Sequence, residues 1–249
     1  MSISFRVLIP ARYQATRLPG KPLLKFQNKT IIEHVYQQAC ASQACSVHIA
    51  TDDERIAEVA KKFGAQVCMT HSNHRSGTDR IAQAVTEIGC DDDEIIVNLQ
   101  GDEPQMPAAN VRQVAELLAV NEQAAIATLY TRITDQHDYS DPDVVKLVTT
   151  NNQQALYFSR ASIPFVRDEV VTERTNYPLF RHVGLYAYRA GYLKKFVSYQ
   201  PTVLEKLERL EQLRALENGD QIITDQCVAQ PGIGVDTHSD FSRLLVSKH

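Results

Sequence analysis

The stretch FRVLIPARYQATRLPGKP, residues 5–22, begins as a short apolar strand and continues as a loop rich in cations and prolines. We predict the strand over residues 5–9, followed by a loop that carries Arg12, Arg17 and Lys21. In open α/β sheets, ligands bind beyond the carboxyl ends of the strands. A cationic loop in that place predicts a local anion site, and a solvated turn is the alternative.

Strands and helices alternate over the residues that follow this loop. Further strands are predicted over residues 47–50, 66–69 and 94–99. Helices are predicted to begin at the capping box of Thr30 and Glu33, at Asp52 or Asp53, and at about Thr78. Such alternation implies right-handed crossover connections between neighbouring strands. The sequence therefore predicts a three-layer α/β fold with a mainly parallel sheet.

Length, charge and cysteine content limit the classes of protein to which this chain can belong. The chain has 249 residues, 43% of them hydrophobic, so one domain over residues 1–249 is expected. Lys and Arg number 26 against 30 Asp and Glu, and this net charge of −4 argues against nucleic-acid binding. No signal peptide or long apolar stretch is present, which predicts a soluble protein that is not exported and has no membrane contact. Five scattered cysteines without a C-x-x-C pair predict the reduced thiols of a cytoplasm.

A second unusual stretch, VNLQGDEPQMP, covers residues 97–107 at the end of an apolar run. Asp102 and Glu103 lie there in a tight turn beside Gly101 and Pro104. A solvated acidic turn is one interpretation. If this loop and the cationic loop leave neighbouring strands, however, carboxylates face cations across one crevice. That composition suits a magnesium–triphosphate complex, since oxygen ligands bind the hard cation and Lys and Arg bind phosphate oxygens.

The middle of the chain is less regular and predicts an insertion. A strand is expected over residues 144–148, and ALYFSRASIP, residues 155–164, predicts an aromatic strand that ends on Arg160. In RHVGLYAYR, residues 181–189, period-two alternation predicts one covered face and one face, with His182 and Tyr186, that can line a pocket. A lone histidine on a strand is more often structural, but Arg160 and His182 together favour an anionic substrate.

The last part of the chain is predicted to be helical again from a second capping box, Thr202 to Glu205. Leucines recur every three residues over residues 204–216, a pattern typical of a core or a subunit interface. By pattern alone, Glu211 and Gln212 in this helix are interpreted as solvated. Asp236 is predicted to follow a short strand, where it could supply a second metal ligand, and Thr237 to cap the last helix.

Eight segments together resemble the 3-deoxy-D-manno-octulosonate (Kdo) cytidylyltransferases, over about residues 5–245. They are IPARYQATRLPGKPL, IATDDERIAEVAKKFGAQVCMT, SGTDRIAQAV, IIVNLQGDEPQMP, LYFSRASIP, RHVGLYAYRAGYL, LEKLERLEQLRAL and GVDT. The first and fourth are shared with other sugar nucleotidyltransferases, including CMP-sialate synthetases, whereas the segments from SGTDR to LEQLR point to the Kdo branch. Departures at residues 26–32 and at His238 are peripheral.

The resemblance implies a Rossmann-like, three-layer α/β/α nucleotidyltransferase fold with a mixed, mainly parallel sheet. It also implies an inserted sugar-binding and dimerisation lobe over about residues 130–220. The implied reaction transfers CMP from CTP to the anomeric hydroxyl of Kdo and releases pyrophosphate, for lipopolysaccharide biosynthesis. Mg²⁺ is the implied cofactor, and a cytoplasmic homodimer is the implied assembly.

The resemblance also implies roles for residues at matching positions. The implied nucleotide-binding residues are Pro10, Ala11, Arg12, Arg17, Lys21, Ser76, Gly77, Arg80 and Gln100. The implied catalytic residues are Arg17, Lys21, Asp102 and Asp236, of which Asp102 and Asp236 are the implied magnesium ligands. The implied sugar-binding residues are Arg160, His182, Tyr186, Glu211 and Gln212.

Three alternatives stay open at this point. A CMP-sialate synthetase shares the phosphate loop, and the 8-amino form of Kdo is not separated from Kdo by any of these residues. A CTP or sugar-nucleotide sensor without catalysis would keep the same fold, although Lys21, Asp102 and Asp236 are all present. The loop over residues 166–178 has no motif that predicts its role.

Overall fold

The computed structural model describes residues 3–14, 17–167 and 179–246. Strands and helices alternate over the first half of the chain. The strands are β1 (Phe5–Ala11), β2 (Lys25–Phe26), β3 (Lys29–Thr30), β4 (Ser46–Thr51), β5 (Gln66–Met69) and β6 (Ile95–Asn98). The helices are α1 (Ile31–Ala41), α2 (Glu54–Lys62), α3 (Gly77–Ile88) and α4 (Ala108–Val120), with a 3-10 turn over Lys21–Leu23.

The second half continues the sheet and adds shorter helices. Its strands are β7 (Ile126–Arg132), β8 (Lys146–Thr149), β9 (Ala155–Ser159), β10 (Phe180–Arg189) and β11 (Ile222–Gln226). Its helices are α5 (Gln136–Ser140), α6 (Ala190–Phe196), α7 (Val203–Glu208), α8 (Leu213–Glu217) and α9 (His238–Val246). Every helix in the described ranges is too short or too polar to cross a membrane.

Strands β2 and β3 pair with each other, and one mixed sheet contains the others, with the central order β11-β7-β10-β6-β1-β4-β5. The pairs β1–β4, β1–β6, β4–β5 and β7–β11 are parallel, and β10 runs antiparallel to β6 and β7. Strand β8 extends the sheet from the start of β10 and pairs with β9. The mainly parallel mixed sheet that the sequence predicts is therefore confirmed. Because β6 and β1 are parallel neighbours, the acidic and cationic loops leave the same edge of the sheet side by side.

The sheet carries a helix layer on each face. Alternate residues of β1 point to opposite sides, so Val7 and Ile9 pack with α1 and α4, whereas Leu8 packs with α3 and α6. All three side chains are fully buried. The three-layer arrangement thus follows from period-two burial on both faces of a central strand.

Helix starts follow the capping signals in the sequence. The side chain of Thr30 accepts a hydrogen bond from the backbone N–H of Glu33, and that of Asp53 accepts one from the N–H of Arg55. Helix α3 begins at Gly77, one residue before the predicted start. The reason is that Ser76 and Asp79 form a reciprocal capping box, with bonds of 3.0 and 3.1 Å.

Three local predictions of the second half are wrong. The leucine-rich segment is not one helix, because Arg209 adopts a left-handed conformation, φ 53°, that separates α7 from α8. Gln212 lies between the two helices and is buried rather than solvated. No strand precedes Asp236, as the described residues 227–237 are irregular.

Strand β10 keeps its predicted alternation, although its register with β7 shifts at a β-bulge between Val183 and Tyr186. Val183, Leu185 and Ala187 pack in one core cluster, whereas Tyr186 and Tyr188 pack in the other. The inserted lobe expected over residues 130–220 includes β10 and the end of β7, and both belong to the main sheet. Part of the predicted lobe is therefore continuous with the core sheet.

Candidate active site

A cavity of about 230 Å³ opens where the carboxyl ends of β1 and β6 meet. The structure brings to it every residue predicted for the nucleotide and both predicted metal ligands. These are Pro10, Ala11, Arg12, Arg17, Lys21, Ser76, Gly77, Arg80, Gln100, Asp102 and Asp236. Pro22, His74 and Gly101 complete the lining, and the sequence analysis gave none of them a role in binding.

Close backbone packing joins the two loops at this edge of the sheet. A Cβ atom at Gly101 would lie 2.7 Å from the carbonyl oxygen of Pro10, which is far inside normal contact. Only glycine therefore lets the acidic turn approach the end of β1 this closely. Glycine at this position brings Asp102 next to the cationic loop.

Lys21 contacts both predicted metal ligands. Its Nζ atom lies 2.6 Å from Asp102 Oδ2 and 3.0 Å from Asp236 Oδ1. Burial lowers the pKa of the Lys21 ammonium, but the two carboxylates raise it by more, so the pKa lies above its ordinary value. The predicted arrangement has cations and carboxylates facing each other across the crevice, whereas in this structure they form one cluster.

The two arginines of the loop are more exposed. Arg17 Nη2 lies 3.3 Å from Asp236 Oδ2, and both side chains are more than half exposed. Arg12 is exposed as well and makes no hydrogen bond or ion pair with the part of the chain that the structure describes. Its guanidinium is therefore available to an anion in the cavity.

Asp236 reaches Asp102 because the segment before α9 is bonded to the acidic turn. The N–H of Val235 donates to the carbonyl of Asp102 at 2.9 Å, and the N–H of Ile233 donates to Gln105 Oε1 at 2.8 Å. Thr237 caps α9, as predicted, in a reciprocal pair with Asp240. Two distant parts of the sequence thus present their carboxylates to one point.

Glu103, predicted in the acidic turn but without a specific role, adds a third carboxyl group to the site. Burial raises its pKa to about 8, and the neighbouring Asp102 and Asp236 add to the shift. A Cβ atom at Gly234 would lie 2.8 Å from Glu103 Oε1, so this carboxyl packs against the backbone that leads to Asp236. The only signal in the sequence was its place beside Asp102 in the acidic turn.

Arg80 forms a buried wall of the cavity. Its guanidinium donates to Thr70 Oγ1, and its Nη2 atom lies 3.3 Å from Asp52 Oδ2. The Arg80 side chain is only 4% exposed, so these two partners determine where it points. Gln100, on the other strand end, donates from its amide to Asn98 Oδ1 at 3.1 Å.

Glu211 and Gln212, two of the predicted sugar-binding residues, lie near the amino terminus of α3. Thr78 Oγ1 donates to Glu211 Oε2 at 2.5 Å, and Arg214 Nη2 lies 3.5 Å from Glu211 Oε1. Burial raises the pKa of Glu211. Gln212 Nε2 is buried and has no hydrogen-bond partner among the described residues. Because Thr78 follows the cavity-lining Ser76 and Gly77, Glu211 adjoins the nucleotide cavity through α3.

His182 and Tyr186 form an aromatic pair on β10. Their ring centroids are 5.4 Å apart, and His182 Nε2 lies 3.0 Å from Thr128 Oγ1. Burial lowers the pKa of His182 to about 3, so its imidazole is neutral near pH 7. Burial raises the pKa of Tyr186, and the charge of Glu211 adds to this, which places Glu211 in the same environment.

Arg160 does not line the cavity. Its Nε atom donates to the carbonyl of Glu208 at 2.8 Å, and its Nη1 atom donates to the carbonyl of Pro142 at 2.9 Å. The aromatic strand ends one residue before it, at Ser159. The structure therefore brings Glu211 and Tyr186 together but holds Arg160 on backbone carbonyls elsewhere.

Similarity to known proteins identifies the family to which this chain belongs. Residues 6–222 match the cytidylyltransferase family. The 3-deoxy-manno-octulosonate cytidylyltransferase of Thioalkalivibrio sulfidiphilus is 52% identical over 244 residues, covering 97% of this chain and 98% of that protein. The 3-deoxy-manno-octulosonate cytidylyltransferase 2 of Actinobacillus pleuropneumoniae is 48% identical over 249 residues, covering 97% of each chain.

A solved structure supports the same relationship at the level of the fold. It is a CMP:2-keto-3-deoxy-manno-octonic acid synthetase complexed with CTP, which is 36% identical to this chain and superposes with a TM-score of 0.89. The similarity covers 98% of this chain and 97% of the other. The predicted nucleotidyltransferase fold is confirmed. The chain belongs to the cytidylyltransferase family and, within it, to the 3-deoxy-manno-octulosonate cytidylyltransferases, which are nucleotidyltransferase enzymes.

Proposed function

We propose that this chain transfers CMP from CTP to the anomeric hydroxyl of Kdo and releases pyrophosphate, as a step of lipopolysaccharide biosynthesis. The observation that carries the proposal is the meeting of Lys21, Asp102 and Asp236 around one cavity. Such a set offers a cation for phosphate oxygens and carboxylates for a hard metal ion. The names of the relatives, and the CTP in the related structure, support the choice of nucleotide and sugar.

The triphosphate would lie against Arg12, Arg17 and Lys21. Phosphoryl-type transfer depends mostly on positioning and charge neutralisation, so no protein nucleophile is needed. Arg17 and Lys21 would neutralise the charge that develops on the leaving pyrophosphate, and losing one such contact costs on the order of 10²–10³ in rate. The base would lie among Pro10, Ala11, Ser76, Gly77 and Arg80, with Gln100 near the ribose or the sugar.

Asp102 and Asp236 fit a divalent metal, because their carboxylates already share one cation, the Lys21 ammonium. Both offer only oxygen atoms, the donors that Mg²⁺ prefers. When bound there, Mg²⁺ would neutralise phosphate charge and lower the pKa of the attacking hydroxyl. The role of the two aspartates would be to hold that charge beside the cationic loop.

The sugar acid would bind on the side of Glu211. Two properties support this half of the site: Gln212 Nε2 is a buried donor without a partner among the described residues, and the His182 imidazole is neutral. Gln212 and His182 would donate hydrogen bonds to the sugar, and Tyr186 would pack against it. Glu211 would accept from sugar hydroxyls. Arg160 would contribute to sugar binding while its guanidinium donates to the carbonyls of Glu208 and Pro142.

We also propose a homodimer that works in the cytoplasm. Val203 and Leu207, one turn apart on α7, are 66% and 76% exposed, which supports an apolar contact surface on this helix. The five free cysteines suit a reducing compartment.

The test is pyrophosphate release from CTP and Mg²⁺ with a panel of sugar acids. Kdo, 8-amino-Kdo and sialic acid are supplied separately, and the product is identified by mass. We expect turnover with Kdo and its loss in Asp102→Ala and Asp236→Ala. Turnover of sialic acid in place of Kdo would overturn the choice of sugar, and CTP binding by calorimetry without any turnover would favour a sensor.

A further inference from the structure

The two carboxylates proposed for the metal ion already have a cation between them. Lys21 Nζ lies 2.6 Å from Asp102 Oδ2 and 3.0 Å from Asp236 Oδ1. Arg17 contacts the other oxygen of Asp236, at 3.3 Å from Oδ2. Every carboxylate of the proposed metal site is therefore neutralised by the cationic loop itself.

The need for this neutralisation follows from the number of acids in the cluster. The carboxyl of Glu103 follows Asp102 in the same acidic turn and packs against the backbone of Gly234, two residues before Asp236. Acidic groups gathered in a partly buried place repel one another unless a cation lies among them. The Lys21 side chain is only 11% exposed, so its ammonium is held in the cluster rather than in solvent.

A metal ion and this ammonium would occupy the same space. Mg²⁺ binds its oxygen ligands at about 2.1 Å, inside the volume that an ammonium at hydrogen-bond distance already fills. A metal ion shared by Asp102 and Asp236 therefore requires Lys21 to move. A triphosphate in the cavity offers the ammonium another anion to bind, since Lys21 is one of the residues that line it.

We propose that Lys21 holds the metal position in the nucleotide-free enzyme and releases it only when the triphosphate binds the ammonium. This inference rests on the proposed function, because it takes Asp102 and Asp236 as the metal ligands. The consequence is coupled binding: the metal ion alone binds weakly, and CTP and the metal ion strengthen each other's binding by one and the same factor. Lys21 would thus act first as a substitute for the metal and then as a ligand of the phosphates.

The size of the effect follows from the fraction of enzyme in which the carboxylates are free. Metal affinity is reduced by that fraction, so removing the ammonium should raise it by about tenfold or more. Loss of a positive charge that does not touch the carboxylates should change metal affinity by about threefold or less. The geometric effect can therefore be separated from a general change of charge.

The experiment measures Mn²⁺ binding to the full chain by the loss of the free Mn²⁺ signal in electron paramagnetic resonance, without nucleotide. Lys21→Met removes the ammonium, and Lys21→Arg keeps the charge. Arg12→Gln is the matched control, since Arg12 lines the same cavity without contacting a carboxylate among the described residues. We expect Lys21→Met to bind Mn²⁺ about tenfold or more tightly than the wild type, and the two other variants to stay within about threefold of it.

A second arm adds CTP and corrects for the Mn²⁺ that CTP binds in a protein-free sample. Wild-type enzyme should then bind Mn²⁺ more tightly, and Lys21→Met should gain less. Equal Mn²⁺ affinity of wild type and Lys21→Met without CTP, with both proteins shown to be folded by circular dichroism, would overturn the inference. If Arg12→Gln gains as much Mn²⁺ affinity as Lys21→Met does without CTP, the inference is also overturned. If instead Asp102→Asn binds Mn²⁺ as the wild type does with CTP present, the proposed metal site itself is wrong.

Discussion

The backbone N–H of Val235 donates a hydrogen bond of 2.9 Å to the carbonyl oxygen of Asp102. This bond joins the segment before α9 to the acidic turn after β6. It brings Asp236 beside Asp102, although the two residues are far apart in the sequence. The cluster of Lys21, Asp102 and Asp236 therefore depends on backbone pairing between two irregular segments, and changes at their contacts should disturb the site.

Gly101→Ala should impair both stability and activity. The new Cβ atom would lie 2.7 Å from the Pro10 carbonyl oxygen, a backbone atom that cannot move away alone. We expect a loss of about 1–3 kcal/mol in the free energy of unfolding, and a loss of about 10²-fold in kcat from displacement of Asp102. Urea unfolding and pyrophosphate release measure the two effects. Gly184→Ala is the control, because no atom lies within 4 Å of its added Cβ. Equal behaviour of the two variants would contradict the role given to Gly101.

Asp52→Asn should weaken CTP binding without a comparable effect on kcat. Asp52 does not line the cavity, but its Oδ2 atom lies 3.3 Å from Nη2 of the buried Arg80, which does. Without this charge, the remaining partners of the guanidinium among the described residues are the Thr70 hydroxyl and the His71 carbonyl. We expect the KM for CTP to rise about tenfold, since weakening a largely buried ion pair misplaces the remaining partner.

Asp92→Asn, which weakens an exposed pair with Lys194, provides the comparison for Asp52→Asn. It should leave the KM for CTP near the wild-type value, because exposed ion pairs contribute little. A fall in kcat with an unchanged KM in Asp52→Asn would argue against a positioning role in nucleotide binding.

Thr78→Val should affect the sugar and spare the nucleotide. Thr78 Oγ1 donates to Glu211 Oε2 at 2.5 Å, and the isosteric valine removes that donor. Because Glu211 would lose this short hydrogen bond and keep the longer contact with Arg214, we expect the KM for Kdo to rise about tenfold, the effect of losing a hydrogen bond to a charged group. The KM for CTP should stay unchanged. Thr86→Val removes a hydroxyl of the same helix that bonds only to the Ala82 carbonyl, and it should alter neither constant.

The stability of the fold should decrease as the pH falls below about 6.5, in part because of His182. Its pKa is about 3 in the folded chain, against about 6.5 in an unfolded one. Between these values the unfolded state binds more protons, so the free energy of unfolding rises with pH. In His182→Gln, the free energy of unfolding should rise less steeply with pH, by an amount that corresponds to up to about one bound proton. Urea titrations from pH 4 to 7 test this, and parallel curves for wild type and His182→Gln would refute it.

Leu207→Asp should dissociate the proposed dimer. Leu207 is 76% exposed on α7, where a carboxylate would oppose apolar contact between two chains. Sedimentation equilibrium should give twice the chain mass of 28.0 kDa for the wild type and a single chain mass for the variant. Val120→Asp, on the equally exposed Val120 of α4, should remain dimeric. A wild type that sediments as one chain would end this proposal.

The sequence was sufficient to predict those features of the fold that depend on residues close to one another along the chain. The predicted caps at Thr30 and Thr237 begin α1 and α9, because each capping bond joins positions three apart. Apolar alternation in β1 determines two buried faces, and hence helix layers on both sides of the sheet. Once the sheet is parallel, the loops after β1 and β6 must meet at one edge. The meeting of the cationic loop with the acidic turn was predictable for this reason, whereas Ser76, Gly77, Arg80 and Gln100 were implied only by the resemblance to a family.

In the sugar half of the candidate site, strand pattern and charge pointed to Arg160 and His182, whereas Glu211 and Gln212 could be predicted only through the resemblance to a family. Glu211 and Gln212 carry no pattern that separates them from surface residues of a helix. The turn at Arg209, φ 53°, changes the direction of the chain just before Glu211 and Gln212, and Gln212 is buried. The left-handed conformation is energetically unfavourable for any residue that has a side chain, so contacts with residues distant in the sequence must stabilise it. Local propensity therefore cannot predict it.

The sequence by itself determined the alternation of strands and helices over residues 5–99 and the charges carried by the two loops, because these depend on local periodicity and composition. Only the tertiary structure decided which charges touch. Lys21 lies between Asp102 and Asp236 because the Val235–Asp102 bond and the close approach of Gly101 to Pro10 bring three distant segments together. Contacts between such segments depend on packing in three dimensions, which no spacing along the chain records.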